Sequence, residues 1–253
     1  MGQARLGVIA SREVVSRNPA TVNRWQQRAL RARFLAGGFA AAREILTFYA
    51  GLAEWQGSVA PQLSSFSRIT AVIPSLISYV AESAPPALAQ AARNFEVSVA
   101  DASLRDYWDV RITHSMTDFF MRAALQPYAA SLPDNLDCPW CAQAPQVGCL
   151  KPQAEGLAFE LICALCLRHR SFPRARCPGC HSSSESTIAS FTAREFPHMR
   201  LLACENCKGY ILIVDLERDI AAIPEVDELA ALPLDLWAVE NGYHKLQPNL
   251  AGV

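Results

Sequence analysis

Eight of the nine cysteines in this 253-residue chain stand in four Cys-x-x-Cys pairs between Cys138 and Cys207. No other feature constrains the fold as much. The pairs are Cys138/Cys141, Cys163/Cys166, Cys177/Cys180 and Cys204/Cys207. A two-residue gap lets both sulfurs of a tight turn point into one tetrahedral sphere, with backbone N–H groups of the turn aimed at the thiolates. Two such turns close a four-thiolate site.

The spacing also exposes an internal repeat. Cys138 and Cys177 are 39 residues apart, and Cys163 and Cys204 are 41 apart. Each unit opens with Cys-Pro-x-Cys and runs about twenty residues to an apolar strand, Leu157–Ile162 in one and Met199–Ala203 in the other. A second pair follows, then an extended segment, which in the second unit is Tyr210–Val214. This is the pattern of a ribbon or rubredoxin-like pair of knuckles, each Cys-x-x-Cys at a hairpin turn. Sequential pairing is expected, giving one site from Cys138, Cys141, Cys163 and Cys166 and another from Cys177, Cys180, Cys204 and Cys207. A cross-brace, in which the first and third pairs share a metal, is the alternative.

Four thiolates in tetrahedral geometry suit zinc, and they suit a mononuclear iron. With all four positions filled by protein there is no place for substrate or activated water, so hydrolytic metal catalysis is disfavoured. Electron transfer by iron needs no open position. Thiol–disulfide chemistry would call for a thioredoxin-like βαβ setting, which the surrounding sequence does not supply. Cys149 stands outside both sets and reads as a small buried hydrophobe. His169, His181, His198 and His244 are not needed as ligands, although His181, next to Cys180, can support that ligand from outside the coordination sphere.

Residues 1–137 hold no cysteine, and helical periodicity dominates there to about residue 130. Asn18-Pro19 reads as a helix start, with Trp25, Leu30, Phe34 and Leu35 at the helical period and Arg28, Arg31 and Arg33 as a solvated face. Gly37-Gly38 punctuates. Further helices are expected over Ala40–Trp55, over Ser65–Val80 with a kink or stop near Pro74, from Pro85-Pro86 through Phe95, and over Leu104–Tyr128. His114 and Asp118 lie one turn apart in the last of these, but no third ligand accompanies them. No Gly-rich phosphate loop, nucleophile elbow or His-Glu-x-x-His occurs, so this half announces no catalysis. Beyond Asp215 the chain returns to helix, broken at Pro233 and stopped by Asn241-Gly242.

The near-neutral net charge of −1 conceals a division. Residues 1–128 carry +4, from 13 Arg and 9 acidic residues, and residues 129–253 carry −5. Mutual attraction of the two halves is the plainer reading, ahead of a partner-binding patch. The apolar run Leu6–Ala10 is too short for a signal-peptide core, and Ile69–Ala81 is shorter than the roughly 20 residues of a membrane span. A cytoplasmic protein with no membrane association is expected, a compartment where paired cysteines bind metal more often than they form disulfides.

The four Cys-x-x-Cys pairs in this order, the segment Phe119–Tyr128 before them and the ending Asp235–Tyr243 together resemble the formate dehydrogenase accessory protein family, FdhE. The resemblance covers roughly residues 20–250. It implies α+β architecture: an N-terminal α-helical domain (1–130), then two tandem rubredoxin-like or zinc-ribbon four-cysteine modules (131–170 and 171–253), the second ending in a C-terminal helix. It implies a non-enzymatic maturation protein that stays in the cytoplasm and binds the catalytic subunit of an exported formate dehydrogenase. By position the eight paired cysteines match the family's metal ligands, for two metal ions, iron in preference to zinc. A homodimer is the other candidate assembly. One departure stands out: rubredoxin-type knuckles favour Gly after the second Cys, where positive φ is easy, and here those positions hold Ala142, Leu167, His181 and Lys208.

The rival reading is a zinc-ribbon scaffold, or a nucleic-acid binder with structural metals. Arg168, Arg170, Arg174 and Arg176 cluster between the two sites. Against nucleic acid, the metal half is acidic overall and lacks an aromatic stacking platform.

Overall fold

The computed structural model describes residues 23–111, 115–133, 138–183, 187–250 and 252. Six helices come first: α1 (Arg24–Gly38), α2 (Arg43–Val59), α3 (Ile73–Ser83), α4 (Pro86–Arg93), α5 (Ala100–Trp108) and α6 (Met116–Ser131). Strands β1 (Val147–Gln153), β2 (Gly156–Ile162), β3 (His169–Ser171), β4 (Ile188–Phe191), β5 (Met199–Cys204) and β6 (Gly209–Asp215) follow. Two helices, α7 (Pro224–Ala230) and α8 (Leu232–Glu240), then precede a final strand β7 (His244–Lys245). The molecule is α+β, with a helical part followed by two four-cysteine units and C-terminal helices.

Local chemistry sets the helix ends. Asn23 begins α1 with a capping box: its side chain accepts from the N–H groups of Trp25 and Gln26, while Gln26 Oε1 accepts from its N–H. The start expected at Asn18-Pro19 lies outside the described residues. Pro74 sits in the first turn of α3, where its missing N–H costs nothing. The stretch expected as one kinked helix over Ser65–Val80 is therefore two short 3-10 turns, Phe66–Arg68 and Thr70–Val72, followed by a helix that the proline opens.

The single helix expected over Leu104–Tyr128 is two. A Schellman turn ends α5: the Val110 N–H donates to Tyr107 O at 3.1 Å and the Arg111 N–H to Asp106 O at 2.8 Å. Val110 carries the required positive φ of 61°, a conformation that glycine normally supplies. Ile112 and His114 lie outside the described residues. The C-terminal helices break at Ala231, two residues before Pro233, and Gly242, at φ 82°, closes α8 with the same turn, Tyr243 N–H to Ala238 O at 3.0 Å.

The strands form one sheet in the order β3-β2-β1-β6-β5-β4, with β7 beside β6. Each cysteine unit is an antiparallel meander, β1-β2-β3 and β4-β5-β6. The two meanders join where β1 runs parallel to β6, Gly148–Leu150 against Ile213–Asp215. One sheet face turns Val147, Cys149, Ile162, Leu201, Leu212 and Val214 into the same core as Leu46, Leu52 and Leu125 of the helices. A smaller core of Leu150, Phe159, Leu161, Ile211 and Ile213 lies on the other face. Each such side chain contributes about 1.5–3 kcal/mol when fully buried.

The expected faces of α1 are partly exchanged. Trp25 and Leu35 are buried, but Leu30 and Phe34 are 58% and 72% exposed, while Arg28 and Arg31 are only 3% and 8% exposed. The cause is α7, whose buried acids pack against α1. Arg28 pairs with Glu225, and Arg31 Nε donates to Asp227 Oδ2 at 2.9 Å. The opposite charges of the two halves meet inside the protein, so these arginines are not a solvated face. Arg33 is exposed, paired to Glu54 at 2.7 Å.

Candidate metal centres

The eight paired cysteines gather as two sets of four, Cys138/Cys141/Cys163/Cys166 and Cys177/Cys180/Cys204/Cys207, with the sulfurs of each set within 4.8 Å of one another. The cross-braced arrangement is absent. Sulfur separations are 3.3 Å for Cys141–Cys166 and 3.8 Å for both Cys177–Cys207 and Cys180–Cys204. A tetrahedral ion with metal–sulfur bonds of about 2.3 Å has sulfur–sulfur edges of roughly 3.8 Å. The donor sets thus fit a tetrathiolate ion, zinc or mononuclear iron.

Three of the four pairs end in the knuckle conformation without glycine. Leu167, His181 and Lys208, each directly after its second cysteine, take φ of 61°, 60° and 58°. Each donates its N–H back to the first cysteine's carbonyl: Leu167 to Cys163 at 3.2 Å, His181 to Cys177 at 3.0 Å and Lys208 to Cys204 at 2.8 Å. The first pair differs, forming a 3-10 turn over Pro139–Ala142. Backbone N–H groups reach the sulfurs as the spacing predicts, Gly179 N to Cys177 Sγ at 3.3 Å and Gly209 N to Cys207 Sγ at 3.4 Å.

Sulfurs this close share protons. In the first set the Cys163 thiol is driven far below its usual range, chiefly by hydrogen bonds from Cys138 and Cys166, while Cys138 is pushed up to about 12 by the same contact with Cys163. Ionising all four requires a cation among them. In the second set Cys180 is lowered to about 6, first by a backbone hydrogen bond from Ser182 and then by Asn206, whose Nδ2 lies 3.6 Å from its sulfur.

The two sets are supported differently. Trp140, inside the first Cys-x-x-Cys, is buried, stacks on Tyr107 at 4.6 Å and donates Nε1 to Tyr107 O at 3.0 Å. The facing turn is held by α6: Arg122 Nε and Gln126 Nε2 both donate to Ala164 O, at 3.2 and 2.8 Å. The helical part therefore grips both turns of the first site. The second site is more open, with Cys180 exposed. The C-terminal strap covers part of it; Leu246 packs on Gly179 and Gly209 so closely that a Cβ at either would fall 2.6 or 2.4 Å from its Cδ2. Local sequence does not single out Trp140, Arg122 and Gln126, since only the fold shows which groups meet the turns.

Among the histidines, His181 follows Cys180 with its ring 6.4 Å from Phe172. His198 contacts Asp227 at 3.0 Å, with Asp219 close by, but Arg31 Nη2 bridges the two carboxylates and occupies an oxygen of each. His169 contacts Glu160 and Cys149. Of the arginines between the sites, Arg168 donates to Leu132 O at 2.6 Å and Pro133 O at 2.7 Å, Arg174 donates to Leu157 O, and Arg176 Nε donates to His181 O at 3.2 Å. These three donate to backbone carbonyls.

Residues 175–251 match the family model described as FdhE, C-terminal domain. A protein named FdhE homolog from Aquifex aeolicus is 30% identical over 153 residues, 56% of this chain and 54% of that protein. Another of that name from Pseudomonas putida is 34% identical over 119 residues, 45% of this chain and 37% of that protein. The match spans about half or less of each relative's own length. The crystal structure of the FdhE protein from Pseudomonas aeruginosa superposes with a TM-score of 0.66 at 23% identity, covering 89% of this chain and 94% of that one, a likeness of fold.

Proposed function

From its likeness to the FdhE family over residues 175–251 and in fold, we propose that this chain belongs to that family and is a formate dehydrogenase accessory protein. In this reading it is non-enzymatic and cytoplasmic, binding the catalytic subunit before export. Cys138, Cys141, Cys163 and Cys166 hold one metal ion, and Cys177, Cys180, Cys204 and Cys207 hold a second. Iron is favoured over zinc.

The observation that carries the reading is the pair of four-sulfur clusters at tetrathiolate spacing. Such sites leave no coordination position for substrate, which suits stapling or electron transfer better than hydrolysis. No described helix is long and apolar enough to cross a membrane.

Co-purification tests the partner. The chain should be recovered with a tagged formate dehydrogenase catalytic subunit, and Cys→Ser changes in either cluster should abolish recovery. Unaltered dehydrogenase activity in a deletion strain would overturn the proposal. An absorption spectrum of anaerobically purified protein tests the metal: thiolate-to-iron bands are expected, and a colourless, zinc-loaded protein from iron-replete cells would remove iron.

A further inference from the structure

Cys149, Glu160 and His169 lie on adjacent strands of the first meander. Cys149 on β1 is paired directly with Glu160 on β2, and His169 on β3 sits two residues before Ser171, the partner of Glu160. The period-two alternation of strands puts all three side chains on one face, as a direct and a diagonal neighbour. Their donor atoms converge. Cys149 Sγ is 3.7 Å from His169 Nδ1, Glu160 Oε2 is 2.9 Å from the same nitrogen, and all three atoms lie within 4.8 Å of one another.

Two chemistries use a cysteine, a histidine and a carboxylate. A nucleophile relay strings them across both ring nitrogens, with the thiol on one and the carboxylate on the other. Here both meet Nδ1, so the ring does not stand between the thiol and the carboxylate. Convergence of three donors on one point is instead the geometry of a coordination sphere. Bonds of about 2.3 Å to sulfur and about 2.0–2.1 Å to nitrogen and oxygen give tetrahedral edges of roughly 3.5 Å for sulfur–nitrogen and 3.3 Å for nitrogen–oxygen. The observed 3.7 and 2.9 Å lie within a few tenths of an ångström of these.

We propose that Cys149, Glu160 and His169 form a third metal site, separate from both tetrathiolate clusters, that takes a divalent ion of the zinc type. A mixed sulfur, nitrogen and oxygen set favours such an ion over magnesium or calcium, which prefer oxygen alone. Cys149 is fully buried, the Glu160 side chain is 13% exposed and that of His169 is 39% exposed. The ion therefore enters from the β3 edge, and the fourth position faces that edge, open to water or to a donor from another molecule. Three protein ligands with one open place distinguish this site from the closed clusters.

The test is metal counting on the full chain, loaded with Zn(II) and freed of excess ion, compared with His169→Ala and Cys149→Ala. Wild type should hold one equivalent more than either variant, a difference that does not depend on how much the eight-cysteine clusters retain. With Co(II) as the probe, the spectrum of wild type minus His169→Ala should show a single-thiolate charge-transfer band and four-coordinate visible absorption, and Cys149→Ala should lack both. His169 is at the sheet edge, so its variant should keep the wild-type melting curve in the absence of added metal. Equal metal content in wild type and His169→Ala, or an unchanged Co(II) spectrum, would overturn the proposal and leave a His169–Glu160 hydrogen bond over a space-filling cysteine.

Discussion

Arg31, in α1, donates through Nε to Asp227 at 2.9 Å across 196 residues of sequence. Asp227 is fully buried and also accepts from the backbone N–H of Ile223 at 2.8 Å and contacts His198 at 3.0 Å. The ion pair thus fixes the start of α7 and one end of β5 to α1.

Removing one partner of this pair leaves the other charged and buried. Arg31→Met should destabilise the protein by about 3–5 kcal/mol, read as a lower urea midpoint. Adding Asp227→Leu should restore only part of that, because the backbone of Ile223 and the ring of His198 then lose their acceptor.

The positive-φ knuckle residues carry strain that glycine would not. His181 is exposed, so His181→Gly should stabilise the metal-loaded protein by about 0.5–1 kcal/mol. Leu167 has the same backbone but a buried side chain, so Leu167→Gly should be destabilising instead. Opposite shifts in melting temperature check the pair.

Burial raises the Glu228 carboxyl from 4.5 to about 7, partly offset by the Lys245 ammonium 3.2 Å away. Between those values the unfolded chain gives up this proton while the folded chain retains it. Its contribution to stability therefore falls as pH rises from 4.5 to about 7 and is flat outside that window. Glu228→Gln should remove this decline, seen by comparing unfolding free energies of the two proteins across the window.

Exposure of Cys180 makes the second cluster the one a chelator reaches first. Metal should leave faster from Cys163→Ser, which keeps only the second cluster intact, than from Cys204→Ser, which keeps only the first. Complete removal should unfold the hairpins, since a tetrathiolate ion supplies on the order of 10 kcal/mol. Release followed with a colorimetric chelator, alongside circular dichroism, measures both.

The sequence made the local parts of this architecture readable. A Cys-x-x-Cys turn is complete within four residues, so the clusters and the strands between them were visible, as was the break at Pro233. The opposite charges of the two halves were visible too, but not that they meet through Arg28 and Arg31, because the α7 surface that inverts the helix pattern lies some 190 residues away. Val110 hid the break after α5 by taking a glycine conformation without being glycine. The β1–β6 junction left no local trace, since parallel pairing of distant strands has no turn to announce it.

That junction has an evolutionary and assembly consequence. The two copies of the repeat meet head to tail, the first strand of one against the last strand of the other, not about a two-fold axis. Such a contact does not close on itself, and in principle further copies could add at either end without limit. The free ends are β3 and β4, three and four residues long, where their counterparts β6 and β1 are seven. Shortening these two strands leaves little edge for another copy to grip, so the free ends of this sheet resist end-to-end growth.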